Sequence, residues 1–165
     1  MTELRACCLQ FLGEAPRFFR KRLEAQLALF DRVAGVSGDI IELGVGSGVS
    51  LRGWAHLVAE HGPDRTIWGY DTFAGFPRFL PEDGPEAPAL GKRVGGETEC
   101  RDRLATKQDV EASLPAHAGV LVLVAGDIVE TLRAPHRPLA LVFCDADTYA
   151  PTKAALDLLW PHLAP

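Results

Sequence analysis

Asp39-Ile40-Ile41-Glu42-Leu43-Gly44-Val45-Gly46-Ser47-Gly48 is the stretch on which the reading of this 165-residue chain turns. Its first five residues set three large apolar side chains between and after two carboxylates, Asp39 at the start and Glu42 inside, with the length of a buried strand. Three glycines follow at once, where the backbone must turn sharply and where a missing Cβ lets another group come close. A helix is predicted to begin near Ser47 and to run through Trp54, Leu57 and Val58 until His61-Gly62-Pro63 stops it. Strand, glycine turn and helix in this order present free amides and the positive end of a helix dipole at one edge.

The alternation continues outward in both directions. Upstream, Phe19, Leu23, Leu27 and Phe30 fall at helical spacing between about Arg17 and Ala34, so that 1–36 reads as a helical lead-in. Downstream, Thr66–Tyr70, Gly119–Val124 and Leu139–Cys144 read as three further strands. Helices are expected over roughly Thr106–Leu114, just after Asp127, and from Thr148 to about Leu163, the last carrying Ala155, Leu156, Leu159 and Trp160. Residues 77–100 show no periodicity and hold Pro81-Glu82-Asp83-Gly84-Pro85-Glu86. Irregular stretches of that size tend to be lids, binding loops or disordered segments.

Near-continuous apolar strands alternating with helices predict an α/β fold, a doubly wound, mostly parallel sheet in a single domain over 1–165. Right-handed crossovers send every strand end to one edge, where Glu42, Asp71, Asp127, Asp145 and Asp147 collect. Ligands of such sheets bind beyond that edge.

Composition narrows the partners. Hydrophobic residues are 47% and charged residues 24%, ordinary for a globular protein. A net charge of −5 leaves no concentrated basic face, so nucleic acid is not an expected partner. No window approaches the ~20 apolar residues of a membrane span, and the first ten residues lack a secretion signal's apolar core. The expectation is a cytoplasmic protein without a membrane partner, its four cysteines (Cys7, Cys8, Cys100, Cys144) reduced and not at zinc spacing. The five histidines are scattered, and Trp54, Trp68 and Trp160 read as core or half-buried residues.

The chemistry rests on three features. Asp71 ends the second strand, where a carboxylate can accept both hydroxyl protons of a ribose; a cap or turn role is the plainer alternative. With the glycine turn it points to an adenosine-bearing ligand. The glycines run G-x-G-x-G rather than the G-x-G-x-x-G of dinucleotide folds. Glu42, two residues before Gly44, would repel a pyrophosphate yet suits a ligand carrying an ammonium and a sulfonium. S-adenosylmethionine is therefore favoured over a nicotinamide cofactor. Asp145 and Asp147 close the fourth strand, and two such carboxylates suit a hard divalent cation, or one metal ligand beside one general base. Asp147 or Thr148 as a cap of the last helix accounts for the same residues without excluding that role.

Taken in order, Asp39 to Ser50, Tyr70-Asp71-Thr72-Phe73-Ala74-Gly75-Phe76-Pro77, Asp127 to Leu132, and Asp145-Ala146-Asp147-Thr148-Tyr149 with Thr152-Lys153 resemble the macrocin O-methyltransferase family. The resemblance covers most of the chain after about Arg17. It implies an S-adenosylmethionine-dependent enzyme that methylates a small-molecule hydroxyl, typically on a sugar of an antibiotic. By position it implies that Glu42, Gly44, Gly46 and Ser50 surround the methionine part of the cofactor. Asp71, with Thr72 beside it, would hold the ribose, and Gly126 and Asp127 would lie near the adenine. Asp145 would be a Mg2+ ligand and Asp147 the general base.

The family continues beyond the segment that His162-Leu163-Ala164-Pro165 resembles, with a strand ending in a second aspartate pair. This chain is therefore expected to hold the first four strands of a sheet ordered 3-2-1-4-5-7-6. Leu139–Cys144 then becomes an apolar edge and an association hazard, so the chain is expected to be a fragment, or to have that edge covered in a homo-oligomer or by a partner chain. Two other readings stay open: a nicotinamide-dependent oxidoreductase, and a catalytically inactive cofactor-binding or assembly module.

Overall fold

The computed structural model describes residues 17–61, 64–89, 106–114 and 120–165. Helix α1 spans Arg17–Val33, strand β1 Asp39–Leu43, helix α2 Val49–His61 and strand β2 Thr66–Asp71. A 3-10 turn at Pro81–Asp83 precedes helix α3, Lys107–Ser113. Strand β3, Val120–Ala125, leads through the short helix α4, Ile128–Thr131, to strand β4, Leu139–Cys144. Helix α5, Tyr149–Leu159, ends in a 3-10 turn at Trp160–His162.

The four strands are parallel and ordered β3-β2-β1-β4, as the family resemblance implies. β1 is therefore an inner strand, and all five of its residues are buried. Successive side chains of a strand point to opposite faces, and both faces are covered. Ile40 and Ile67 pack with Leu123 against Phe30 of α1 and Leu51, Trp54 and Val58 of α2. Ile41, Leu43 and Tyr70 pack on the other side with Ile128 of α4 and Ala155 and Leu159 of α5. Trp54 meets Phe143 of β4 edge-on, with ring centroids 5.6 Å apart.

Several boundaries differ from expectation for identifiable reasons. α2 starts at Val49 rather than near Ser47, because Gly46 and Gly48 both hold a positive φ (53° and 77°) that a right-handed helix cannot use. α5 starts at Tyr149 and gives way to a 3-10 turn at Trp160, where Pro161 brings no amide to continue the helical ladder. Ala155 and Leu159 face the sheet as expected, but Leu156 and Trp160, one position on, face outward. They are 57% and 68% exposed, so Trp160 is not the core or half-buried residue that composition suggested.

Of the 1–36 lead-in, 17–36 fall within the described residues and are helical over Arg17–Val33; of the irregular stretch, 77–89 do. Cys7, Cys8 and Cys100 lie outside them, while Cys144 is a free, exposed thiol.

β4 is the outer strand on its side of the sheet. Beyond the second 3-10 turn the chain comes back beside it: Leu163 forms a parallel bridge with Leu139, and the Ala164 amide donates to the Leu139 carbonyl at 2.8 Å. Among the described residues no helix is long and apolar enough to cross a membrane.

Candidate functional site

At the carboxyl edge the strand ladder continues past the strand ends and draws the loops together. Gly44 N donates to the Tyr70 carbonyl at 2.9 Å, Asp145 N to Leu43 at 2.8 Å and Gly126 N to Asp71 at 2.9 Å. The loops after all four strands therefore meet around one cleft.

Glu42 lies beneath its floor. It shares the β1 face that looks toward α2 and is completely buried, and its Oε1 accepts from Ser50 Oγ, in the first turn of α2, at 2.7 Å. The Ser50 carbonyl in turn accepts from the buried Gln26 amide of α1 at 3.1 Å. A polar line thus runs from α1 through α2 to the acid of β1, inside an otherwise apolar layer.

The two leading glycines do different work. A Cβ on Gly44 would sit 2.2 Å from the Asp145 carbonyl oxygen, so this glycine lets the ends of β1 and β4 approach. A Cβ on Gly46 would meet nothing within 4 Å. That open space belongs to the cleft.

Asp71 is held by two backbone amides. Gly46 N donates to Oδ2 and Phe73 N to Oδ1, each at 2.8 Å. An ionised carboxylate has about four acceptor positions, so two amides fix its orientation and leave capacity for hydroxyl donors. Thr72 closes the following turn, its Oγ1 donating to the Gly75 carbonyl at 2.6 Å and accepting from Ala74 N at 3.1 Å. Beneath them, burial pushes the Tyr70 phenol above its ordinary pKa.

Asp127 caps α4, its Oδ1 accepting from Val129 N at 2.9 Å. Its Oδ2 pairs with the Arg78 guanidinium at 3.0 Å. Arg78 belongs to the segment after β2, so this ion pair joins the second and third loops across the cleft mouth. Neither side of the pair carries a local sequence signal for it.

At the end of β4, Asp147 adopts φ 59°, a left-handed conformation unusual for any residue but glycine, though aspartate tolerates it better than most. Asp83 reaches this turn from the segment after β2: its Oδ1 accepts from the Tyr149 amide at 2.6 Å. The sequence marked Asp83 only as part of an irregular acidic run.

These loops enclose a cleft of about 440 Å³, within the range of small-molecule pockets. Of the residues singled out from sequence, Gly44, Gly46, Ser50, Asp71, Thr72, Asp127, Asp145 and Asp147 all line it. Glu42 stands below the wall, and Gly126 turns the chain at φ 137° without contributing to the lining. A wider groove of about 870 Å³ adjoins the cleft and shares Phe76, Asp147 and Thr148 with it. Phe76 and Phe79, ring centroids 5.4 Å apart, line it opposite Tyr149 and Leu156 of α5. Asp147 thus stands where two compartments meet.

A family model described as a methyltransferase domain matches residues 41–165. The chain belongs to that methyltransferase domain family. It is 31% identical over 136 residues to mycinamicin III 3''-O-methyltransferase of Micromonospora griseorubida, a match covering 79% of this chain and 53% of the relative. It is 30% identical over 137 residues to 8-demethyl-8-(2,3-dimethoxy-alpha-L-rhamnosyl)-tetracenomycin-C 4'-O-methyltransferase of Streptomyces olivaceus, covering 79% and 51%. Among solved structures it is similar to CalS11, a calicheamicin methyltransferase, with 30% identity and a TM-score of 0.63 over 98% of this chain and 73% of that one. The chain spans about half the length of the two curated relatives it matches. For a methyltransferase domain, the open side of Gly46, the oriented carboxylate of Asp71 and the buried acid beneath them form a cradle that fits S-adenosylmethionine.

Proposed function

We propose that this domain binds S-adenosylmethionine in the 440 Å³ cleft and directs its methyl group to a hydroxyl of a small molecule in the adjoining groove. A sugar of a cytoplasmically made natural product, such as an antibiotic, is the acceptor class we favour. The observation that carries this reading is the position of Asp147, which lines both compartments. Two relatives support the acceptor class: a mycinamicin III 3''-O-methyltransferase and a 4'-O-methyltransferase of a rhamnosyl-tetracenomycin.

Asp71 would accept from the ribose hydroxyls, held in place by the Gly46 and Phe73 amides. Asp127 and Thr72 would border the adenosine half, and Gly46 and Ser50 the methionine half, with Glu42 supplying negative charge beneath. When bound, S-adenosylmethionine supplies an electrophilic methyl group on a positively charged sulfur. Asp147 would hold the acceptor hydroxyl beside the donor and take its proton, leaving the oxygen free to receive the methyl group that the bound donor would supply.

Magnesium fits less completely. A hard cation takes several oxygen ligands, usually six or more, whereas no three His, Cys, Asp or Glu side chains gather at one point among the described residues. Asp145 would be one ligand of such an ion, and the proton transfer above does not depend on it. We also propose that a further parallel strand covers the outer edge of β4 in the working protein.

The experiment is methyl transfer from isotopically labelled S-adenosylmethionine to a panel of sugar glycosides, comparing the unaltered protein with Asp147→Asn. Asparagine tolerates the left-handed backbone and removes the proton acceptor, so a loss of about 10²–10⁴-fold in kcat is expected. Equal rates in the two proteins would contradict the role given to Asp147.

A further inference from the structure

Four amides at a helix start have no partner within the helix. At α5 the residue in the capping position, Thr148, does not meet that need: its side chain makes no capping hydrogen bond, and its Oγ1 donates back to the Ala146 carbonyl at 3.3 Å. The partner comes from 66 residues upstream. Asp83 accepts from the Tyr149 amide with Oδ1 at 2.6 Å and from the Leu80 amide with Oδ2 at 2.7 Å. One carboxylate therefore closes its own 3-10 turn and caps α5 from outside, where its charge also suits the positive end of the helix dipole.

The turn from β4 to α5 is consequently fastened on both sides of Asp147. Two residues before it, the Asp145 amide is tied to Leu43 of β1 at 2.8 Å. Two residues after it, the Tyr149 amide is tied to Asp83. Between these fastenings Asp147 holds φ 59°, a conformation that persists where the surroundings over-determine it. Asp83 also lines the wider groove together with Asp147. The segment that supplies it forms part of that groove's wall, through Phe76 and Phe79.

We propose that Asp83 is a positioning residue for methyl transfer: by capping α5 across the groove it holds the Asp145–Tyr149 turn, and so the Asp147 carboxylate, in place. This rests on the reading of Asp147 as the proton acceptor. A displacement of about 1 Å at a reacting group can cost on the order of 10²-fold in rate. Although the side chain borders the groove, each of its carboxylate oxygens is taken by a backbone amide, Tyr149 at Oδ1 and Leu80 at Oδ2.

The test compares the unaltered protein with Asp83→Ala and Asp83→Asn in three measurements: calorimetric affinity for S-adenosylmethionine, kcat for methyl transfer, and amide hydrogen exchange at Asp147 and Tyr149. For Asp83→Ala, donor affinity should hold, kcat should fall by about 10–100-fold, and the two amides should exchange faster. Asp83→Asn keeps one acceptor oxygen, enough for the Tyr149 amide but not for the Leu80 amide as well, and should recover part of the rate and the protection. Unchanged exchange at both amides, or an unchanged kcat, overturns the proposal. So does a donor affinity that falls in step with kcat, since that marks a general loss of structure. If the unaltered protein binds the donor but transfers no methyl group, the catalytic reading fails instead. The fastening is then judged by exchange alone, with faster exchange in Asp83→Ala supporting it and unchanged exchange overturning it.

Discussion

Gly44 and Gly46 are two residues apart and look alike in sequence, yet their surroundings separate them. A methyl group on Gly44 would press into the Asp145 carbonyl at 2.2 Å, backbone against backbone, where nothing flexible can yield. Gly44→Ala is expected to destabilise the fold by about 3 kcal/mol or more, combining that clash with a φ of 87° that alanine resists. Gly46 has a milder φ of 53° and open space in front of it. Gly46→Ala should cost only about 1–2 kcal/mol of stability while weakening S-adenosylmethionine binding, because the new methyl group occupies the cleft. Thermal melting and calorimetric titration of the two variants separate the effects. Equal melting temperatures, or unaltered donor affinity in Gly46→Ala, would contradict the division of labour.

Elements show what sequence periodicity reaches and where it stops. β1 and β4 were legible to the residue, because apolar runs of five or six flanked by glycine or acid have few other uses in a doubly wound sheet. The faces of α5 were not: the sequence placed Ala155, Leu156, Leu159 and Trp160 together on this helix, with Trp160 as core or half-buried. Instead Ala155 and Leu159, with Leu158 partly buried beside them, pack inward, and Leu156 and Trp160 are exposed. Among the site residues, Asp71, Asp145 and Asp147 were visible because each ends a strand. The Arg78–Asp127 pair and the Asp83 cap were not, since contacts across 49 and 66 residues leave no local pattern. Arg65 is a third case. Its Nη2 donates to the Val33, Ala34 and Val36 carbonyls at 3.0, 2.9 and 2.6 Å, satisfying the C-terminal end of α1 from the start of β2. Burial pulls its pKa down, with Asp39 opposing that shift. Arg65→Met keeps the apolar stem and removes the donors, and should lower stability by about 2 kcal/mol. A chemical denaturation curve unchanged from the parent would show that water replaces those bonds at no cost.

At the scale of the molecule, the sheet has an asymmetry that bears on its company. Leu139 and Ala140 of β4 are buried, whereas Leu141 to Phe143 are half-buried and Cys144 is exposed. The strand carries no lysine or proline of the sort that protects an edge. Leu163 and Ala164 begin to pair with its first residue, which defines the direction in which a covering strand would run. Size-exclusion chromatography of this chain alone is expected to show association beyond the monomer. A monodisperse monomer with one cooperative melting transition would contradict an edge in need of cover.

We propose that the loops after the four strands form a cradle for a sulfonium cofactor rather than for a pyrophosphate. Isothermal titration with S-adenosylmethionine and, separately, with nicotinamide adenine dinucleotide tests it most directly, on the unaltered protein and on Asp71→Ala. One saturable site is expected for S-adenosylmethionine, at least about tenfold weaker in Asp71→Ala because a charged hydrogen-bonding partner of the ribose is lost, and no site for the dinucleotide. Binding of the dinucleotide instead, or S-adenosylmethionine affinity that ignores the loss of Asp71, would contradict it.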